Sequence, residues 1–328
     1  MNNEDIMVSI SCITYNHEKY ISDAIEGFLM QKTNFKYEIL IHDDASTDNT
    51  ATIIREYEKK YPDLIKPIYQ KENQWSKGID VMLEFNFKRA NGKYIALCEG
   101  DDFWTDPYKL QKQVEFLEKN QKFSMCFHNV KVVDENKNIL RNMQFHPTGK
   151  KVTYLKDIIK GNYIPTCSVV FRNGLINYSD YEVLSNDLWF GDYVLHILNA
   201  NKGPIFYFNE DMAVYRVTPT GLSMSTNIIR KMENKVEFYK RLEQYFEDEN
   251  IKRIVNKQII KREIELYIEY ARRNELDKAG NLLQDIKKTD ILFKAGPKKI
   301  LKLLLIKYFP NQYDRVRQNY RKLRGIKE

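Results

Sequence analysis

The sequence predicts an α/β protein: a mostly parallel sheet flanked by helices over residues 1–225, then a basic helical segment over 226–328. Three observations carry this. Over roughly the first hundred residues, short apolar runs alternate with stretches whose apolar residues recur at helical spacing, the pattern of a parallel sheet with helices on its faces. Polar and acidic clusters stand where the apolar runs end, at Thr14-Tyr15-Asn16, Asp43-Asp44 and Glu99-Gly100-Asp101-Asp102. Ligands of parallel sheets bind at the carboxyl ends of the strands. After Thr226 glycine and proline become rare, and Lys, Glu and Tyr at helical spacing dominate.

Val8–Thr14 reads as the first strand, ended by the polar Tyr15-Asn16-His17. Ile21, Ala24, Ile25, Phe28 and Leu29 then fall on one helical face. Tyr37–His42 is a second strand, followed by Asp43-Asp44-Ala45-Ser46-Thr47-Asp48, a turn rich in helix-capping residues. The next helix carries Ile53, Ile54, Tyr57 and Tyr61 on one stripe. Leu64–Tyr69 is a third strand, and a polar loop through Glu72-Asn73-Gln74 leads to a helix over 78–90. Tyr94–Cys98 is a fourth strand, apolar and free of proline. Asp106-Pro107 offers a cap and a proline at the first helical position, ahead of the stripe Leu110, Val114 and Leu117.

A strand pair is expected over 123–141, turning at Asp134-Glu135-Asn136, then a loop over 145–151 and a strand over Ile164–Arg172. A buried helix starts near Trp189-Phe190-Gly191-Asp192-Tyr193. Short strands follow at Ile205–Phe208 and Met212–Arg216, and a loop at 218–223. Four helices are expected beyond, at 226–248, 251–273, 275–288 and 297–308.

Composition narrows the function classes. The 328 residues suffice to bury a sizeable core. Four dispersed cysteines without a C-x-x-C pair suit a reducing compartment and argue against a disulfide framework or zinc ribbon. The N-terminus lacks a basic-then-apolar leader, and no apolar run reaches the roughly 18–20 residues that span a bilayer, so a cytoplasmic location is expected. No G-x-G-x-x-G follows the first strand and no G-x-x-x-x-G-K-[ST] occurs, which disfavours dinucleotide dehydrogenases and P-loop enzymes. None of the five histidines has metal-ligand spacing.

The net charge of +7 is uneven: residues 1–225 carry −4 and the remainder +11. From Leu292 onward there are eleven bases and two acids. Ile300, Leu301, Leu304, Leu305 and Tyr308 share a helical face opposite Lys298, Lys299 and Lys302. Such a basic amphipathic helix suits an anionic membrane surface, hence a peripheral position on the inner face of the membrane; packing against protein is the competing reading. Recognition motifs for nucleic acid are absent, and no nucleic-acid partner is expected.

Glu99, Asp101 and Asp102 follow a buried strand within four positions. Burying such a cluster is costly unless something positive joins it. Mg²⁺ or Mn²⁺ takes one or two carboxylates, with substrate phosphates completing its shell. A solvated turn that caps the next helix is the alternative.

Thr14-Tyr15-Asn16, the run from Ile41 to Thr50 (I-H-D-D-A-S-T-D-N-T), the run from Gly92 to Gln111 (G-K-Y-I-A-L-C-E-G-D-D-F-W-T-D-P-Y-K-L-Q) and the late F-G-D-Y at Phe190–Tyr193 together resemble the inverting glycosyltransferases of family two, over about residues 6–223. The resemblance implies the GT-A fold. It places Thr14 and Tyr15 in the nucleotide pocket and Asp44 on the base, typically uracil. Asp101 and Asp102 correspond to the family's Asp-x-Asp motif, with Asp102 the metal ligand and Asp101 nearer the ribose or sugar. Asp192 matches the catalytic base. Tyr215-Arg216 and the loop to Ser223 match the segment that closes over the donor. The sequence departs from the pattern at Glu99, where the first aspartate usually stands.

The implied reaction is Mn²⁺- or Mg²⁺-dependent transfer from a UDP-sugar to a hydroxyl of a glycan, lipid-linked, in surface polysaccharide biosynthesis. The chemistry agrees: a cation neutralises the leaving diphosphate, and a carboxylate takes the proton of the attacking hydroxyl. Two other classes stay open. One is a non-catalytic nucleotide- or glycan-binding scaffold on the same fold. The other is a nucleotidyltransferase, which usually carries a glycine-rich basic loop where this chain has Thr14-Tyr15-Asn16-His17.

Overall fold

Four parallel strands form the first half of the sheet: β1 (Ile6–Thr14), β2 (Lys36–Asp43), β3 (Ile65–Tyr69) and β4 (Tyr94–Leu97). In space they run β3-β2-β1-β4, so the order reverses at β1, and ligands of such sheets bind beside the carboxyl ends of the strands at the reversal. These strands belong to a computed structural model that describes residues 6–143, 149–218, 227–273, 275 and 277–282. The chain divides into two compact units, Met1–Ser225 and Thr226–Glu328.

Helices α1 (Ile21–Leu29) and α2 (Thr50–Lys60) make the first two crossovers. Ile21, Ala24, Ile25 and Phe28 of α1 join Val8, Ile10 and Cys12 of β1 in the main core, as the helical stripe predicts. The helix expected over 78–90 is broken. Only α3 (Val81–Phe85) is α-helical, between short 3₁₀ turns at Trp75–Lys77 and Phe87–Arg89. Gly78 is left-handed at φ 81°, and the Asp80 carboxylate starts α3 by accepting from Leu83 N at 3.0 Å. Asn86 stops it: its buried amide donates to Ser11 Oγ and Cys12 O of β1, each at 3.1 Å.

The second half adds β5 (Phe103–Trp104), α4 (Lys109–Lys119), β6 (Met125–Asp134), β7 (Ile139–Met143), β8 (Val152–Thr153), α5 (Leu155–Ile158), β9 (Val170–Arg172), α6 (Tyr178–Ser185), α7 (Gly191–Lys202) and β10 (Ile205–Val217). Antiparallel β9 sits between β4 and β6, and β10 lies parallel to β6. β6 and β7 are the expected strand pair. Three expectations need correction. The strand over Ile164–Arg172 shrinks to β9, because Pro165 lacks an N–H and leads into a 3₁₀ turn at Thr166–Ser168. The two short strands after α7 are one strand, β10, whose register against β6 shifts between Phe208 and Ala213. Asp106 does not cap α4 directly; it accepts from Tyr108 N at 2.8 Å, and the helix starts at Lys109.

In the second unit α8 (Ile228–Tyr245) and α9 (Glu249–Arg272) share a small core around Val236, Leu266 and Tyr267, and residues 277–282 are helical. None of the described helices is long and apolar enough to cross a membrane. The basic helix over 297–308, most of the loop over 145–151, and 219–223 lie outside the described residues.

Candidate active site

The acidic turn is held against β1. Beyond the end of β4, Cys98 N donates to Ser11 O at 3.2 Å and Gly100 N to Ile13 O at 3.0 Å. The chain thereby arrives beside Thr14. Asp102 N closes the turn on Glu99 O at 3.1 Å. Gly100 is required by close approach: a Cβ there would stand 2.6 Å from Thr14 Oγ1 and 2.8 Å from Thr14 Cβ.

This packing buries carboxyl groups. Asp102 is 1% exposed, and its Oδ1 accepts from Arg216 N at 2.8 Å. Asp102 Oδ2 and Glu99 Oε2 are buried without a hydrogen-bond partner, although the Cys167 thiol and the Thr166 hydroxyl stand beside the two carboxyls. Burial first, then the charges of Asp101 and Glu99, push Asp102 well above the usual carboxylate range. Burial and Asp101 push Glu99 up to about 8. Two orphaned hard oxygens in a shared negative field are a donor set that fits a divalent cation. Among the described residues no three His, Cys, Asp or Glu side chains enclose a cation by themselves. A cation here would draw its remaining ligands from substrate phosphates and water.

Arg216 lies on β10 and is 2% exposed. Its Nη1 donates to Asp101 O at 2.6 Å and its Nη2 to Asp23 Oδ2 at 2.7 Å. The guanidinium sits between the rings of Tyr20 and Phe103, 4.6 and 5.0 Å from their centroids. The side chain expected to contact a donor is thus engaged with protein, where it clamps the acidic turn to α1. Arg216→Met should cost about 1–3 kcal/mol, because it frees Asp101 O and leaves Asp23 with Lys137 as its remaining ion-pair partner. Urea denaturation checks this, and a loss under about 1 kcal/mol would show that the clamp contributes little.

Thr14 is buried with its Oγ1 unpartnered, whereas the adjacent Tyr15 is 44% exposed. The loop between them and α1 is locked to the loop after β2: Asn16 N donates to Ser46 Oγ at 2.9 Å and Thr47 N to Asn16 Oδ1 at 2.8 Å. Asn16 takes a left-handed φ of 55° to do so. Asp44 N bonds Thr14 O at 3.0 Å, which places Asp44 beside the nucleotide-side residues. Its carboxylate accepts from Gln74 N at 2.7 Å and Trp75 N at 3.0 Å. Asp44 therefore anchors the segment after β3, and a base would have to use its remaining lone pairs.

Asp192 lies in the first turn of α7, with Oδ2 accepting from Asn162 Nδ2 at 2.9 Å. Burial pushes its pKa up; the Tyr193 N–H and Asn162 act against that. The charge of Asp192 in turn helps raise Glu99, so two groups far apart in sequence share one electrostatic site. Gly191 fixes where α7 begins: a Cβ would meet Tyr181 Oη at 2.7 Å and Asp80 Oδ2 at 3.3 Å, two atoms hydrogen-bonded to each other at 2.8 Å. Sequence reasoning did not identify Asp23, Asp80, Asn162 or Tyr181. Each supports a site residue from a segment that carries no motif.

Residues 9–178 match the family described as Glycosyl transferase family 2, just over half of the chain. This chain belongs to glycosyl transferase family 2. Uncharacterized protein Mb1547 of Mycobacterium bovis is 40% identical over 210 residues, covering 64% of this chain and 58% of that protein's length. The UDP-Glc:alpha-D-GlcNAc-diphosphoundecaprenol beta-1,3-glucosyltransferase WfgD of Escherichia coli is 27% identical over 235 residues, or 71% of this chain and 85% of WfgD. The crystal structure of S. aureus TarS 1-349 in complex with UDP-GlcNAc superimposes with a TM-score of 0.65 at 18% identity, covering 97% of this chain and 92% of the TarS 1-349 chain. The family two chain thus has the GT-A fold that its motifs imply.

Proposed function

We propose that this chain is a metal-dependent, inverting glycosyltransferase that moves a sugar from a UDP-sugar to a hydroxyl of a lipid-linked glycan in polysaccharide biosynthesis. The observation that carries the reading is the buried acidic turn with two unpartnered carboxylate oxygens, on Glu99 and Asp102, together with a separate buried acid, Asp192, whose charge reaches Glu99. Displacement at an anomeric carbon needs these two parts, one to receive the diphosphate and one to take a proton.

Thr14, Tyr15 and Asp44 would bind the nucleotide at the ends of β1 and β2, and Asp101 the ribose or sugar. Asp102, with Glu99 beside it, would hold Mn²⁺ or Mg²⁺, which when bound neutralises charge developing on the leaving diphosphate. Asp192 accepts the proton of the attacking hydroxyl. Arg216 acts through the turn it clamps, keeping Asp101 and Asp102 in place. The UDP-sugar and the diphospholipid-borne acceptor in WfgD's name support the donor and acceptor classes. The basic stretch from Leu292 would favour the anionic inner leaflet where such an acceptor resides; sedimentation with phosphatidylglycerol vesicles checks it.

UDP release from a panel of UDP-sugars with Mn²⁺ or Mg²⁺ tests the reaction. Slow hydrolysis of one donor, abolished by chelator and accelerated by a GlcNAc-diphospholipid, is the expected result. Neither turnover nor binding of any UDP-sugar in the presence of metal would overturn it.

A further inference from the structure

We propose that Asn162 is a positioning residue for proton transfer, its side-chain amide locked by Ile164 and His196 so that it always presents a donor to Asp192. This rests on the reading of Asp192 as the base. Ile164 N can only donate, and it bonds Asn162 Oδ1 at 3.1 Å. That bond settles which end of the amide is oxygen. The other end, Nδ2, therefore faces Asp192 Oδ2 at 2.9 Å as a donor. His196, one turn beyond Asp192 on α7, places Nδ1 3.3 Å from the same Asn162 Oδ1.

The His196 ring is wholly buried, and burial pushes it down to about 3, so it is neutral at working pH. Its Nε2 has no partner, whereas Nδ1 faces an acceptor, and the ring proton accordingly sits on Nδ1. Two donors then hold one amide oxygen, and rotation of the amide would break both bonds while turning an oxygen toward a carboxylate. Asp192 Oδ2 stays bonded to the amide, which fixes the carboxylate that would meet the hydroxyl proton.

An N–H donor also favours the ionised carboxylate, which a base must be, against the opposing effect of burial. The Tyr193 backbone N–H acts in the same direction, and Asn162 is the side chain that adds to it. Tyr181 from α6 is bonded to Asp80, and Glu99 repels. On the α5 side the carbonyls of Ile158 and Ile159 receive the Tyr193 hydroxyl.

Side-chain carboxyl NMR of ¹³C-aspartate-labelled full-length protein tests the inference without a substrate. The Asp192 signal, identified by its loss in Asp192→Asn, is titrated in wild type and in Asn162→Ala. The half-titration pH should rise by about one unit, a tenfold change in proton affinity. Asn162→Ser, whose hydroxyl can still accept from Ile164 N, keeps the local turn and gives the same reading if the alanine variant does not fold. UDP-glucose hydrolysis with Mn²⁺ should show the acid limb of kcat moving up by the same amount, with KM unchanged. An unmoved half-titration pH in the Asn162 variants, with Asp192→Asn inactive, overturns this inference alone. Wild-type turnover in Asp192→Asn overturns the base reading instead.

Discussion

Asp192→Asn is expected to lower sugar transfer by about 10³-fold while leaving UDP-sugar affinity unchanged, since a positioned general base contributes about 10²–10⁴. Asparagine keeps the size of the side chain and still presents an oxygen to Asn162 Nδ2, so the start of α7 is preserved; only the ability to take a proton is lost. The pH dependence has a defined sign. Burial raises Asp192, so the ionised form is present above that raised pKa and turnover declines as pH falls through it. The acid limb of the wild-type profile should therefore lie above the ordinary aspartate value of about 4. Transfer kinetics across pH, with donor binding measured separately by calorimetry, check both statements. Retention of more than a tenth of the activity would show that another group accepts the proton.

Asp102→Asn should reduce metal-dependent turnover by about 10²–10³-fold, equivalent to several kcal/mol of lost charge stabilisation. It should not destabilise the unliganded protein. Arg216 N still finds an oxygen acceptor, and one of three neighbouring acids is neutralised. The folded state holds Asp102 above its unfolded pKa, so its ionised form weighs against the fold once pH exceeds the unfolded value, and more so as pH rises toward the folded one. The thermal midpoint of Asp102→Asn relative to wild type should thus improve from pH 5 to pH 8 without metal. Adding Mn²⁺ and UDP should reverse the ranking by stabilising wild type alone. A variant that still gains thermal stability from Mn²⁺ and UDP would remove Asp102 from the cation site.

The parallel half of the fold was legible because its signals are local. Apolar runs ending in Thr14, His42 and Cys98, with helical stripes between them, can be read from spacing alone, and the observed strands end at Thr14, Asp43 and Leu97, within one residue of them. The second half was read less well. Pro165 led the first half of an apolar run into a 3₁₀ turn, and α6 has too weak a stripe to stand out. The helix over 78–90 failed because Asn86 bonds to β1, a strand some seventy residues earlier that no local window includes.

The sequence by itself determined the order of elements in the parallel half, the family, and the acids proposed to carry the chemistry, since strand ends and short acidic motifs are encoded in neighbouring residues. Only the tertiary structure decided what each acid touches. Long-range hydrogen bonds tie Asp44 to the backbone at 74–75, Asp102 to Arg216, Arg216 to Asp23, and Asp192 to Asn162. Burial then raises Asp102 and Asp192, and burial is a property of packing rather than of spacing. Arg216 illustrates the difference: the family resemblance suggested a hand on the donor, and its guanidinium is buried between two rings, holding the acidic turn.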